Sequence, residues 1–212
     1  MTVYVAMGDS FTAGLDPDEP RWPDVLAREL GPNVRYENLA VVGATSVDVE
    51  REQLTRAIEL EPDLITLVCG ANDVLESTRP DAGEYARRLA GMFRRLRREA
   101  PDAEIMSATY PDISRFLDLR PRSRARVEKG MEVFNAAARK VALSHGVVLL
   151  EGFDHPAAQE RSTFGEDGFH PSEEGHMRAA REFMRALRER MGGRQWRRGA
   201  REVRAPKEVP SG

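Results

Sequence analysis

The chain has 212 residues and a formal net charge of -3, and 41% of its residues are hydrophobic. This length favours one domain with a single sizeable core, or one such domain followed by a tail. The one cysteine, Cys69, excludes an internal disulfide framework. No apolar run approaches the ~18 residues that a membrane span requires, and the first residues lack the features of a signal peptide. We therefore expect a cytoplasmic protein with no stable membrane association.

Short β-rich runs alternate with longer amphipathic stretches along the chain. The predicted strands are residues 3–7, 34–39, 64–69, 105–108 and 147–150. The predicted helices are residues 23–30, 47–60, 83–99, 122–145 and 172–191. This alternation predicts an α/β fold in which helices cover both faces of a mostly parallel sheet.

Two basic segments stand out from this pattern. The predicted helix 83–99 carries four closely spaced arginines, Arg94, Arg95, Arg97 and Arg98. No aromatic residues are interleaved with them, so we expect a solvated helix face and no nucleic-acid partner. Residues 192–212 are polar and basic without an apolar period, and we expect a flexible tail after a domain of residues 1–191.

The residues that follow each predicted strand are candidates for chemistry, because ligands of such sheets bind outside the carboxyl ends of the strands. The first strand runs into Ser10 within "GDS", and the second is followed by "VVGAT" with Gly43. The third precedes "GAND" with Asn72, and the fifth is followed by "EDGFHPS" with Asp167 and His170. Each block alone is a weak signal, whereas four blocks in order after successive strands are specific.

These four blocks resemble the SGNH hydrolases, also called the GDSL esterase and lipase family. The resemblance covers most of the chain from Gly8 to His176. It implies a flavodoxin-like fold, a three-layer α/β/α sandwich with a mostly parallel five-stranded sheet. It also implies a serine hydrolase that cleaves acyl or acetyl esters of a small-molecule substrate through an acyl-enzyme. No cofactor is expected, and no histidine–carboxylate spacing of the H-E-x-x-H type indicates a metal.

The resemblance also assigns roles to single residues. Ser10 would be the nucleophile, His170 the general base and then the general acid, and Asp167 the residue that orients His170. The oxyanion hole would consist of the backbone N–H groups of Ser10 and Gly43 and the side-chain amide of Asn72. A serine hydroxyl needs a base within hydrogen-bond reach, and histidine has the side-chain pKa nearest to neutrality. The spacing from Asp167 to His170 lets one turn supply both groups.

Other histidines and acids compete for these roles. We expect His155, in "FDHPAA", to be a loop residue, and His176 to pack in or on the last helix, which Ser172 caps. His145 is expected to end a long helix, where the dipole favours it. Glu166 does not have the family's spacing for the orienting carboxylate.

Structural roles for the motif residues stay open at this point. Ser10 could cap a helix, Gly43 could be only a loop glycine, and Asn72 could cap the helix that follows it. Asp9 and Asp73 are expected to bind loop backbone around the site, because a free carboxylate beside the nucleophile would disfavour deprotonation of the serine.

The same residues allow two alternatives to an esterase. A catalytically silent carbohydrate- or partner-binding module on this fold would not need a serine, a histidine and an aspartate in this arrangement. Nucleotide binding is disfavoured, because "GDSFTAG" matches neither phosphate-binding glycine motif. Phe116, Leu117 and Leu119 after the fourth strand, and Phe169 beside the base, are candidates to lie over the cleft, although core packing explains the first three equally well. A short or medium acyl chain is expected.

Overall fold

The computed structural model describes residues 1–16, 18–152 and 154–192. These residues form five strands: β1 (Thr2–Gly8), β2 (Val34–Asn38), β3 (Leu64–Val68), β4 (Glu104–Ala108) and β5 (Val148–Leu150). They also form eight α-helices: α1 (Ser10–Ala13), α2 (Trp22–Leu30), α3 (Ser46–Asp48), α4 (Leu54–Glu59), α5 (Ala71–Leu75), α6 (Ala82–Glu99), α7 (Pro121–Ser144) and α8 (Glu173–Arg190). The strand order is β2-β1-β3-β4-β5, and all neighbouring strands pair in parallel. The predicted parallel five-stranded sheet is confirmed.

Helices cover both faces of this sheet. The chain moves to one side of β1 to form β2 and to the other side to form β3, β4 and β5, so right-handed crossovers place the helices on opposite faces. α2 packs against α8, where the rings of Trp22 and Phe183 stack with centroids 4.2 Å apart. α6 packs against α7, where Tyr85 stacks on Phe134 at 4.7 Å. The result is the three-layer α/β/α sandwich that the sequence predicts.

The two central strands supply the middle of the core. Every residue of β1 and β3 is buried, because both strands have neighbours on each side and helices on each face. β2 lies at the sheet edge, and its residues are half-buried or exposed. Two buried hydroxyls in this core satisfy each other, since Tyr4 Oη lies 2.9 Å from Thr66 Oγ1.

The carboxyl ends of β1 and β3 meet at Gly8, which pairs with Val68. A Cβ atom at Gly8 would clash with the carbonyl oxygen of Val68, so only glycine fits there. The buried side-chain amide of Gln53 also binds the backbone of Gly8. Gly8 N–H donates to Gln53 Oε1 at 2.8 Å, and Gln53 Nε2 donates to the Gly8 carbonyl at 2.9 Å. Gln53 ends a π-helical turn (Val49–Gln53) that joins α3 to α4.

The elements differ from the sequence prediction in two places, the short helices after β1 and β3 and the region 47–60. α1 and α5, which directly follow β1 and β3, were not predicted, because four or five residues are too few to show a helical period. The predicted helix 47–60 contains the π-helical turn. Residues 193–212 of the predicted tail lie outside the described part of the chain.

The arginines of α6 are only in part a solvated face. Arg97 donates to the carbonyl oxygens of Ala103 and Gly146 at 2.9 and 2.7 Å, which ties α6 to the end of α7. Arg95 and Arg98 both pair with Glu99. Arg97 therefore has a structural role that the charge pattern did not reveal.

We expect Gln53→Leu to lower the free energy of unfolding by about 1–3 kcal/mol, because it leaves the buried Gly8 N–H without an acceptor. Urea titration of both proteins measures the difference. Glu52→Ala, at the exposed neighbouring position of the same turn, is the control and should change stability by less than about 0.5 kcal/mol. Equal stability of Gln53→Leu and the wild type would contradict a structural role for this amide.

Candidate active site

Ser10 lies at the point where β1 ends and α1 begins. Asp9 is the N-cap of α1, and its Oδ1 accepts a hydrogen bond from Phe11 N at 3.0 Å. Asp9 N–H in turn donates to the Val68 carbonyl, so the turn is attached to the end of β3. Ser10 is the first residue of the helix and is itself not the cap. The turn therefore fixes the position of the Ser10 hydroxyl at the carboxyl edge of the sheet.

A chain of hydrogen bonds connects Ser10 with His170 and Asp167. Ser10 Oγ lies 2.9 Å from His170 Nε2, and His170 Nδ1 lies 2.6 Å from Asp167 Oδ2. The carboxylate can only accept, so Nδ1 carries the proton and Nε2 is free to accept from the Ser10 hydroxyl. These three residues, which the sequence motifs singled out, are in direct contact.

The Asp167 carboxylate is held by the turn that it begins. Asp167 Oδ1 accepts from the backbone N–H groups of Phe169 at 2.8 Å and His170 at 3.0 Å. Burial acts to raise the pKa of Asp167, but the hydrogen bonds from the His170 side chain and from these two N–H groups outweigh it. The pKa of Asp167 lies below its usual value as a result.

Two residues that the sequence analysis did not single out support this turn. Gly168 has φ +69, and a Cβ atom there would lie 2.6 Å from the Phe116 carbonyl oxygen. The Arg161 guanidinium donates to the carbonyl oxygens of Phe164 at 2.8 Å, Gly165 at 2.7 Å and Glu166 at 3.0 Å. The pair Asp-Gly was a visible turn signal, whereas nothing in the sequence marked Arg161.

The loops after β2 and β3 are joined to each other beside Ser10. Asn72, within α5, donates from Nδ2 to the Ala44 carbonyl at 3.0 Å and does not cap the helix. The Asp73 carboxylate accepts from Ser46 N at 2.8 Å and from Ser46 Oγ at 2.5 Å. The expected backbone-binding role of Asp73 is thus observed.

Gly43 lies on the same loop as Ala44 and is exposed. Its φ of +81 favours glycine, and a Cβ atom built on it would meet nothing within 4 Å. Gly43 therefore faces open space and not the protein core.

Asp9 is fully buried beside the nucleophile. Its Oδ2 accepts a hydrogen bond from Tyr110 Oη at 2.6 Å, and its other oxygen caps α1 as described. Burial raises the pKa of Asp9 to about 7, although the Tyr110 and Phe11 hydrogen bonds lower it and the charge of Asp73 raises it. As expected, Asp9 serves the loop structure.

The remaining histidines are not part of the hydrogen-bonded chain of Ser10, His170 and Asp167. His155 caps a 3-10 turn (Pro156–Gln159), and its Nδ1 accepts from Ala157 N at 3.2 Å. His145 ends α7. His176 is buried in the first turn of α8, and Ser172 caps this helix as predicted.

The apolar residues proposed to lie over the cleft are packed instead. The Phe169 ring is buried between Phe11 and His170, with centroids 5.2 and 4.3 Å away. Leu117 and Leu119 pack against the core. Phe116 contacts Phe164. Core packing, the open alternative, describes Leu117 and Leu119, whereas Phe116 is half-buried and lies outside the core cluster of the described residues.

Within the described residues, no group of three or more histidine, cysteine, aspartate or glutamate side chains is placed to hold a metal ion. No helix in the same part of the chain is both long and apolar enough to cross a bilayer.

Residues 6–178 match the model of the GDSL-like lipase/acylhydrolase family. The chain belongs to this family. The matched range includes the three residues of the hydrogen-bonded chain, Ser10, Asp167 and His170. It also includes Gly43 and Asn72 in the neighbouring loops. The resemblance stated from the four sequence blocks is confirmed.

One curated protein and several solved structures are similar to this chain at identities below 30%. A GDSL-like esterase of Mycobacterium tuberculosis is 29% identical over 160 residues, which are 73% of this chain and 50% of the relative. The chain thus spans about half the length of the curated relative that it matches.

Solved structures show the same fold. An extracellular lipase from Streptomyces rimosus is 19% identical, with a TM-score of 0.64 over 89% of this chain and 99% of that chain. The psychrotrophic esterase EstA from Pseudoalteromonas sp. is 18% identical, with a TM-score of 0.68 over 91% of this chain and 100% of that chain.

We expect Asp9→Asn to change the pH dependence of stability. The pKa of Asp9 rises from 3.8 to about 7 on folding, so its contribution to stability is complete below pH 3.8 and is lost as the pH rises through 7. Asparagine does not titrate. The free energy of unfolding of Asp9→Asn relative to the wild type should therefore increase by a few kcal/mol between about pH 4 and about pH 8.

Urea titrations across this pH range measure that difference. Pro101→Ala, at an exposed position without a titratable side chain, is the control and should give a difference that does not depend on pH. A flat profile for Asp9→Asn as well would show that the buried carboxyl does not titrate as described.

Proposed function

We propose that the chain hydrolyses carboxylic esters through an acyl-enzyme formed on Ser10. The observation that carries the proposal is the continuous hydrogen-bonded chain from Ser10 Oγ through the His170 imidazole to the Asp167 carboxylate. The family is one of lipases and acylhydrolases, and the relative from Mycobacterium tuberculosis is named an esterase. Both findings support ester hydrolysis.

In the first half of the reaction, Ser10 Oγ attacks the carbonyl carbon while His170 Nε2 takes the hydroxyl proton. The bond from the carbonyl carbon to the alcohol oxygen then breaks, and His170 returns the proton to that oxygen. Asp167 accepts a hydrogen bond from Nδ1–H throughout, which keeps the imidazole in the required tautomer and stabilises its cation. In the second half, water replaces the alcohol and releases the acid.

The negative charge that develops on the carbonyl oxygen needs fixed donors. Ser10 N–H belongs to the first turn of α1, where backbone N–H groups have no acceptor inside the helix. Among the described residues, Gly43 N–H also has no hydrogen-bond acceptor. Asn72 Nδ2 uses one hydrogen on Ala44 and keeps the second. These three groups are proposed as the oxyanion hole.

We expect a fluorophosphonate to add once to the native protein, because it forms a covalent bond with an activated serine. Ser10→Ala should give no adduct, and Ser144→Ala, an exposed serine at the end of α7, should be labelled like the native protein. Intact mass after incubation reports the result. No adduct on the folded native protein would favour the catalytically silent binding module.

We expect His170→Ala to lower kcat for a p-nitrophenyl butyrate substrate by on the order of a thousandfold or more, because Ser10 loses its base. His155→Ala should leave kcat nearly unchanged, since its side chain caps a turn. Steady-state rates of the two purified variants show which of the two histidines is the base. An active His170→Ala enzyme with an inactive His155→Ala enzyme would overturn the assignment of the base.

A further inference from the structure

A cleft of about 500 Å³ opens on one side of the nucleophile. Ser10 and His170 are part of its lining, and the rest of the described lining comes from residues 14–16 and 18–21 and from residues 165–176, which include the start of α8. Gly43 and Asn72 are not part of its described lining. The cleft therefore lies on the His170 side of Ser10, away from the proposed oxyanion donors.

The side on which the cleft lies indicates which half of an ester it would hold. In the proposed reaction, His170 Nε2 gives its proton to the oxygen of the departing alcohol. That oxygen must come within hydrogen-bond reach of Nε2, so the alcohol must extend from Ser10 toward His170. A cleft in this position would receive the alcohol portion, and this step rests on the proposed function.

The walls of the cleft are polar and rich in hydrogen-bond acceptors. Glu19, Glu166 and Glu173 line it and are exposed, and Asp16 lies beside them. Within the described part of the chain, the carboxylates of the three glutamates make no hydrogen bond or ion pair. The Arg21 guanidinium is already paired with Asp24, at 2.6 Å. An alkyl chain laid over these carboxylates would remove their hydration without replacing it.

One buried donor also borders the cleft. His176 is only 4% exposed, and its Nδ1 accepts a hydrogen bond from Trp22 N at 3.3 Å. An acceptor nitrogen carries no proton, so the neutral ring has its proton on Nε2. Nε2 has no partner among the described residues, and His176 lines the cleft. Nε2 is not among the fully buried unpaired polar atoms of the described residues, so this N–H is accessible from the cleft and free to donate to a ligand oxygen.

The protonation state of His176 is suited to this role. Burial lowers its pKa to about 4, the charge of Asp24 opposes the shift, and the charges of Arg21 and His170 add to it. At neutral pH the ring is therefore uncharged and keeps the tautomer that Trp22 N–H selects.

We propose that this cleft binds the alcohol portion of the ester as an uncharged polyhydroxyl group, such as a sugar. His176 Nε2–H donates to one hydroxyl oxygen, and the carboxylates of Glu19 and Glu173 accept from hydroxyl hydrogens. An anionic alcohol is repelled by the same carboxylates. A quaternary ammonium group is best held by aromatic faces, and the described lining contains no phenylalanine, tyrosine or tryptophan.

The test compares acetate esters that differ only in the alcohol: 6-O-acetylglucose, hexyl acetate and acetylcholine. We expect kcat/KM for 6-O-acetylglucose to exceed both of the others by roughly tenfold or more, which corresponds to one or two additional hydrogen bonds. A higher kcat/KM for hexyl acetate or for acetylcholine would overturn the proposal.

Variants identify the groups involved. Glu19→Ala/Glu173→Ala should raise KM for 6-O-acetylglucose several-fold and lower KM for hexyl acetate, because the alkyl chain then no longer displaces water from these carboxylates. Glu29→Ala/Glu128→Ala removes the same charge at exposed positions outside the cleft lining and should change neither. His176→Leu should raise KM for the sugar ester and not lower kcat for hexyl acetate. His176→Leu also removes the acceptor of Trp22 N–H, so its folding is checked by thermal unfolding. If this variant does not fold, the comparison of Glu19→Ala/Glu173→Ala with Glu29→Ala/Glu128→Ala still decides the test.

The two proposals fail differently. Loss of the ester hydrolase assignment would appear as no fluorophosphonate adduct and no turnover of any acetate. Failure of the alcohol-site proposal alone would appear as normal labelling and turnover with no preference for the sugar ester, or as equal effects of the Glu19/Glu173 and Glu29/Glu128 pairs.

Discussion

The hydrogen bond between Ser10 and His170 joins residues that are 160 positions apart. Ser10 follows β1, whereas His170 follows β5, and three strand spacings, roughly 14 Å, separate these strands in the sheet. The segment after β5 must therefore return across the carboxyl edge of the sheet before α8 begins. Its two 3-10 turns and the clamp of Arg161 on three carbonyl oxygens hold it in that path. Without this return, the base and the nucleophile could not meet.

Buried polar contacts hold the other side of the site. Gln53 binds Gly8, Asn72 binds Ala44, and Asp9 binds Tyr110. Each contact joins a strand end or loop to a different part of the chain, and each would be costly to break because the groups are shielded from water. The loops after β1, β2 and β3 are therefore positioned before any ligand binds. Such preorganisation is what stabilisation of a developing charge requires, since donors that had to reorient would lose much of their effect.

The surroundings of Ser10 are chemically unequal. The loop that carries Gly43 also presents Val41 and Val42, which are 48% and 52% exposed. The opposite side carries the carboxylates and the His176 ring that line the proposed alcohol site. An ester has the same division, because its acyl half is apolar and its alcohol half can be polar. The asymmetry supports the orientation in which the oxygen that leaves lies toward His170.

The sequence by itself determined the α/β class, the parallel sheet and the residues of the four motifs, because hydrophobic period and short motifs are local properties of the chain. It placed Ser10, Asp167 and His170 in one candidate site because parallel strands end at the same edge. The roles of the Arg161 clamp and the His176 donor were decided only by tertiary structure. Arg161 donates to backbone carbonyl groups, and His176 accepts from a backbone N–H group. Backbone atoms are the same at nearly every position of a sequence, so the sequence does not mark such partners. A contact with them becomes visible only when the fold brings the atoms together.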